Sequence, residues 1–194
     1  GLLSLSESAM LEQSMLDGNE LFTQLQLLEQ KLTSHQKAGV PWVYRFSSGA
    51  PGPRAVLMGG VHGNEFGGWR ALYGLLADFV EKKVRIQRGE LTLIFGNEQA
   101  IRRGVRYIEY NLNRLFRDEG NGGIDGYEVR RARELCPELR RAEYLFDLHA
   151  TSGPSQPFLM CEPHLVDDAR RIGCERVVTG WATLGSSAVE GDTE

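Results

Sequence analysis

The chain has 194 residues, 41% of them hydrophobic and 25% charged, which is enough to bury a core and ordinary for a soluble globular protein. Its net charge of −4 gives no bulk attraction to nucleic acid or to an anionic membrane surface. No apolar run approaches the roughly 20 residues of a membrane-spanning helix, and no basic stretch followed by an apolar one marks a signal peptide. Cys136, Cys161 and Cys174 are odd in number, widely spaced and form no CxxC pair. They read as small buried hydrophobes, and a reducing cytoplasm is the expected home.

Gly1 to Ser8 reads as a loose terminus. Leu21, Leu25, Leu28 and Leu32 then recur at helical spacing, and Gly39 and Pro41 are expected to stop that helix. Residues 1–39 are thus expected to be an N-terminal helical segment packed on a domain formed by residues 40–194. Val40 to Phe46 reads as a strand and Ser48 to Pro53 as a turn. Arg54 to Gly60 is a short continuous apolar run, the pattern of a strand buried on both faces. Trp69, Leu72, Tyr73, Leu76 and Phe79 share a helical face, and Leu91 to Phe95 is another apolar strand.

Gly120 to Gly126 reads as a glycine-rich loop, Tyr127 to Arg141 as a charged helix, and Tyr144 to Leu148 as a third buried strand. Phe158 to Cys161 and Arg176 to Val178 are candidate further strands, with a helix near Val166 to Ile172. Alternating strands and helices predict an α/β domain with a largely parallel or mixed sheet and helices on both faces.

The run Gly59-Gly60-Val61-His62-Gly63-Asn64-Glu65 begins where the strand 54–60 ends. His62 and Glu65 lie in one tight turn and can point at one atom, with Gly60 and Gly63 leaving room for unusual backbone angles. His149 follows 87 residues after His62, directly after the strand 144–148. Sites in such sheets form beyond the carboxyl ends of the strands, and both histidines stand there. Two imidazoles and a carboxylate are the ligand set of a hydrolytic zinc site that keeps a fourth position open for water. If the strand continues to His149, Asp147, two residues earlier, leaves the same face and is a candidate to orient a ligand or a substrate-binding arginine. His35 and His164 lack such a context and read as ordinary histidines.

Five arginines occur between positions 102 and 117. Arg102, Arg103 and Arg117 read as a solvated charged face. Arg106 and Arg114 are interleaved with Tyr107, Ile108, Leu112, Leu115 and Phe116, and a guanidinium embedded among apolar groups requires an anion. With the neutral donor Asn113, they suit a substrate carboxylate and the oxyanion formed when a carbonyl is attacked.

These motifs follow one another in a fixed order. Gly-Gly-Val-His-Gly-Asn-Glu comes first, then Gly-Asn-x-x-Ala, then Arg-Tyr-Ile-Glu-x-x-Leu-Asn-Arg-Leu-Phe, then Asp-Leu-His. Together they resemble the succinylglutamate desuccinylase/aspartoacylase family of the zinc carboxypeptidase-like superfamily, over roughly residues 54 to 162. The resemblance implies one Zn2+ per chain held by His62, Glu65 and His149. It implies Arg106 as the carbonyl-polarising residue, with Asn113 and Arg114 holding the α-carboxylate of a small anionic N-acyl amino acid. The implied reaction is hydrolysis of the amide of N-succinylglutamate, in arginine catabolism, or of N-acetylaspartate. Members of the family carry Asp where this chain has Asn111, which removes a negative charge near the arginines.

The resemblance also places the general-base glutamate beyond residue 194. Glu190 and Glu194 lie in a terminal tail and take no role. The chain is thus expected to be the amino-terminal portion of a longer enzyme lacking its C-terminal part. The alternatives are a zinc carboxypeptidase acting on peptides and a non-catalytic zinc-binding module. The sequence leaves a homo-oligomer open.

Overall fold

The computed structural model describes residues 17–116, 123–151 and 153–180. Gly1–Ser8, Arg117, the first part of the 120–126 loop, Glu190 and Glu194 lie outside the described residues. The described residues fall into two compact units, one up to Ala150 and one from Thr151 onward.

In the first unit, four strands form one sheet: β1 (Val43–Ser47), β2 (Arg54–Gly59), β3 (Glu90–Phe95) and β4 (Tyr144–Leu148), in the spatial order β1-β3-β2-β4. β2 runs parallel to both β3 and β4, whereas β1 is antiparallel to β3, with Val43 opposite Ile94. Side chains alternate across the sheet. Tyr44, Phe46, Leu57, Leu93 and Phe95 face one way and meet Leu21, Leu25 and Leu28 of α1 (Gly18–Glu29) and Trp69, Leu72 and Leu76 of α2 (Phe66–Val80). Ile101 of α3 (Glu98–Arg103) joins them.

Val43, Val56, Met58 and Ile94 face the other way. They meet Val129, Ala132 and Leu135 of α4 (Tyr127–Arg140) and Leu112 of a 3-10 turn over Leu112–Arg114. The expected α/β class, with a mixed sheet and helices on both faces, is what the chain adopts. Each fully buried leucine contributes about 1.5–3 kcal/mol of transfer free energy. That gain is what seats α1 in the same core as the sheet. No helix among the described residues is long and apolar enough to cross a membrane.

The second unit holds the two-residue strands β5 (Leu159–Met160) and β6 (Val177–Val178), paired in parallel. A 3-10 turn over Pro163–Leu165 and the helix α5 (Val166–Arg171) connect them. All three cysteines are free thiols of intermediate burial.

Several boundaries differ from the sequence reading. α1 ends at Glu29 rather than near Gly39. The chain tightens there into turns in which Lys31 donates to Leu28 and Leu32 to Glu29, and Leu32 still reaches the core. β1 starts at Val43 because Pro41 has no N–H to donate and Trp42 takes a positive φ of 61°. β4 is not buried on both faces: Tyr144 and Leu145 are exposed, since β4 pairs on one side only among the described residues. α3 was not anticipated. It is capped by the Asn97 side chain, which accepts from Ala100 N–H, and is closed by Gly104 in the left-handed region.

From β2 the chain leaves through α2 to β3 on one side, then returns to β4 on the other side of β2. The carboxyl end of β2 is therefore the switch point of the sheet, the place where sites form in such folds. The carboxyl ends of β3 and β4 flank it.

Candidate metal centre

The turn after β2 is shaped by two glycines. Gly60 has φ +72°, a conformation L side chains rarely adopt. Gly63 is needed for space: a Cβ there would sit 2.0 Å from the backbone carbon of Ala100. The turn closes with Glu65 N–H donating to His62 O at 3.2 Å, and Trp69 Nε1–H donates to Gly63 O at 3.2 Å. Glu65 precedes α2 without capping it, so its carboxylate is free to face the histidines.

His62 is 3% exposed and turns Nδ1 to Glu65 Oε1 at 2.7 Å. His149, delivered by the end of β4, turns Nδ1 to Glu65 Oε2 at 3.0 Å. The ligand atoms of His62, Glu65 and His149 lie within 4.8 Å of one another. Each imidazole also has an oxygen at its far nitrogen. Asn111 Oδ1 lies 3.0 Å from Nε2 of His62, and Asp147 Oδ2 lies 2.8 Å from Nε2 of His149. Asn111 Oδ1 accepts from Asn113 N–H as well, which fixes the oxygen rather than the amide nitrogen toward His62.

The donor set fits a metal ion. A neutral imidazole that donates Nε2–H has a bare lone pair at Nδ1, and here both Nδ1 lone pairs face one carboxylate. Such an arrangement needs a positive charge between nitrogen and oxygen, either a proton or a cation. At His149, burial works against that charge. The hydrogen bonds with Asp147 and Glu65 outweigh it and push the imidazole up to about 10. Burial alone would raise the Glu65 carboxyl, yet the hydrogen bonds from His149, His62 and Ala150 N–H hold it well below the usual carboxylate range. Metal binding at these nitrogens displaces protons.

Arg106 Nη1 donates to Glu65 Oε1 at 3.3 Å. Its side chain is 46% exposed, and Val105, Tyr107 and Tyr110 are exposed too. The apolar neighbours that the sequence sets around it leave it open to solvent, and the anion it meets in the structure is the protein's own Glu65. Arg114 is half-buried on the 3-10 turn, beside exposed Asn113, and its N–H donates to Asn111 O at 2.9 Å. His35, His164, Arg102 and Arg103 are exposed, and Arg102 stacks over the Phe22 ring at 4.1 Å.

Two groups behind the site escaped the sequence reading. Arg131, 3% exposed, donates to the carbonyls of Gly96, Phe95 and Pro41 at 2.8, 3.0 and 2.9 Å, which ties down the end of β3. Glu128, fully buried, accepts from Asn97 Nδ2 and from the backbone N–H groups of Ile108, Glu109 and Tyr110. Both sit in a helix of high charge, where a buried member carries no pattern of its own.

Burial would raise the Glu128 carboxyl, but these hydrogen bonds outweigh it and lower it from the ordinary value. A carboxyl held lower in the folded than in the unfolded state stabilises the fold above its unfolded value of about 4.3. That stability is lost as pH falls through the folded value. The wild type is therefore expected to lose urea resistance below about pH 4.3. Glu128→Gln should be weaker at neutral pH and flatter over the same range. Urea midpoints measured from neutral to acid pH on both proteins check this.

The family model of the succinylglutamate desuccinylase/aspartoacylase catalytic domain matches residues 51–179. The chain is 31% identical over 144 residues to a succinylglutamate desuccinylase of Pseudoalteromonas atlantica, covering 64% of this chain and 41% of that protein. It is 33% identical over 112 residues to an N-acyl-aromatic-L-amino acid amidohydrolase of Xenopus laevis, covering 53% of this chain and 35% of that protein. The chain thus spans about two fifths of these relatives. The crystal structure of the succinylglutamate desuccinylase from Chromobacterium violaceum superposes with a TM-score of 0.61 at 24% identity. The overlap covers 80% of this chain and 60% of that one, a likeness of fold.

Proposed function

Since this chain belongs to the succinylglutamate desuccinylase/aspartoacylase catalytic-domain family, we propose that it serves the hydrolysis of an N-acyl amino acid, with one zinc ion held by His62, Glu65 and His149. The observation that carries this reading is the convergence of two Nδ1 atoms on the Glu65 carboxylate at 2.7 and 3.0 Å, with Arg106 reaching the same group. A zinc ion in such a set, when bound, lowers the pKa of a coordinated water toward about 7 and polarises a carbonyl.

Carbonyl polarisation, substrate binding and ligand orientation fall to side chains of this chain, and the proton transfers to the general-base glutamate that the family resemblance implies. Arg106, half open to solvent beside Glu65, holds the carbonyl oxygen of the scissile amide as negative charge grows on it. Asn113 and Arg114 grip the α-carboxylate of the substrate, Arg114 through its planar fork. Asn111 and Asp147 keep Nε2 of the two histidines occupied, so that Nδ1 faces the metal. N-succinylglutamate, an intermediate of arginine catabolism, is the first substrate to assay, in a cytoplasmic setting.

The test, on the whole enzyme, is release of free amino acid from N-succinylglutamate, N-acetylaspartate and N-acyl aromatic amino acids, compared with peptides carrying a free C-terminus. Turnover of the acyl amino acids alone is expected; preferential cleavage of peptides would overturn the reading. Within it, Arg106→Ala is expected to lower kcat by about 100-fold or more with little change in KM. Arg114→Ala is expected mainly to raise KM. Equal losses in both parameters for both variants would contradict this division.

A further inference from the structure

The segment from Val105 to Tyr110 carries Arg106 and packs only at its edge, where the Tyr110 ring lies against Gly126. None of its six side chains is buried, and only Ile108 is half-buried. Val105 N–H donates to Ala100 O at 3.1 Å, and the next backbone donors along the segment converge on Glu128, the only fully buried carboxylate among the described residues. Glu128 Oε1 accepts from Ile108 N–H at 2.6 Å and from Asn97 Nδ2 at 3.0 Å. Its Oε2 accepts from Glu109 and Tyr110 N–H at 3.1 and 3.2 Å. Three consecutive backbone amides thus wrap one carboxylate, the geometry of an anion nest filled by the protein itself.

The clasp is reciprocal. Glu109 Oε1 accepts from Tyr127 N–H at 2.9 Å, at the start of α4, where Gly126 supplies no side-chain cap. It also reaches the metal turn by two routes. Arg106 O accepts from Gly63 N–H at 3.2 Å, and Asn97, which binds Glu128 by its side chain, donates its backbone N–H to Gly60 O at 2.8 Å.

We propose that Glu128 is a positioning residue that sets Arg106 against Glu65 by fastening the segment 105–110 through three of its backbone amides. A buried side chain 22 positions away in sequence thereby fixes the backbone of an exposed guanidinium whose own partner is Glu65. Glu128 touches no reacting atom; its effect passes through Arg106. In Glu128→Gln the amide NH2 must oppose two donors whichever way it turns, so the clasp opens at one oxygen.

The kinetic arm of the test rests on the proposed hydrolase activity; the exchange arm does not. In amide hydrogen exchange on the metal-loaded protein, Glu128→Gln is expected to speed exchange at Ile108, Glu109, Tyr110 and Gly63 by about tenfold or more. Leu93 and Ile94 in the core should keep wild-type protection, and zinc content should stay unchanged. In kinetics, Glu128→Gln is expected to lower kcat by about 10–100-fold with KM within about twofold, the scale of a misplaced catalytic group. In an Arg106→Ala background the same substitution should cost nothing further.

Glu109→Ala, at an exposed position, is expected to repeat both patterns in weaker form, and it decides the matter if Glu128→Gln does not fold. Unchanged Gly63 exchange, or kcat losses that multiply with those of Arg106→Ala, would overturn the proposal. A wild type that hydrolyses no acyl amino acid would refute the proposed function and leave the exchange arm to decide this one.

Discussion

Glu65→Ala is expected to lose metal affinity by more than about 100-fold, beyond the loss seen when only an outer partner of a ligand is removed, and hydrolysis is expected to fall with it. The reason is geometric. The one carboxylate receives Nδ1 of His62, Nδ1 of His149, the Arg106 guanidinium and Ala150 N–H, so its removal leaves two imidazoles facing open space and Arg106 without its anion. The fold should survive, because Glu65 makes no cap to α2 and lies outside both hydrophobic clusters. Zinc binding by competition with a chromophoric chelator, together with thermal melting of the metal-free proteins, separates the two effects. A variant that keeps wild-type affinity would show that the metal sits elsewhere.

Trp69→Ala is the substitution with the largest expected cost to stability. Trp69 is fully buried in the cluster that joins α1, α2 and the sheet, and it meets Phe66 edge to face with centroids 5.8 Å apart. Emptying its volume costs about 3–5 kcal/mol, to which the orphaned Gly63 carbonyl adds about 1 kcal/mol. Against a total stability of about 5–15 kcal/mol, that is a large fraction, and Tm should drop by about 10 °C or more. Trp69→Phe retains most of the volume and loses only the Nε1–H donor. It should cost much less stability while loosening the turn that carries His62. Urea titration of both variants reads the difference.

The parts of this molecule that the sequence exposes are those where a local pattern meets the end of a strand. His62 and Glu65 stand out because a glycine-bearing turn follows an apolar strand, and His149 because it closes a second strand. Parallel pairing then places both at one end of the sheet. β2 and β3 are legible because strands covered by helices on both faces read as apolar runs. At Arg106 the sequence misleads about surroundings: neighbouring Tyr107 is apolar in sequence but exposed in space, and the anion it meets is Glu65, distant in sequence.

Glu128 and Arg131 were hidden for the opposite reason. A carboxylate and a guanidinium inside Tyr-Glu-Val-Arg-Arg-Ala-Arg-Glu read as solvated charges, and only the tertiary fold brings backbone amides and carbonyls to them. α3 did carry a signal, Asn97 followed by Gly104 seven residues on, but six residues are too few for helical periodicity to show. The exposure of β4 depends on which strands flank it, a property of the assembled sheet and not of Tyr144-Leu145-Phe146.

The central claim is that His62, Glu65 and His149 form one zinc site. Titration of the metal-free protein with zinc, followed calorimetrically beside His149→Ala, tests it most directly. One zinc per chain, with protons released on binding and the site lost in His149→Ala, is the predicted result. A protein that takes up no zinc, or a His149→Ala variant that binds it as tightly as the wild type, would contradict it.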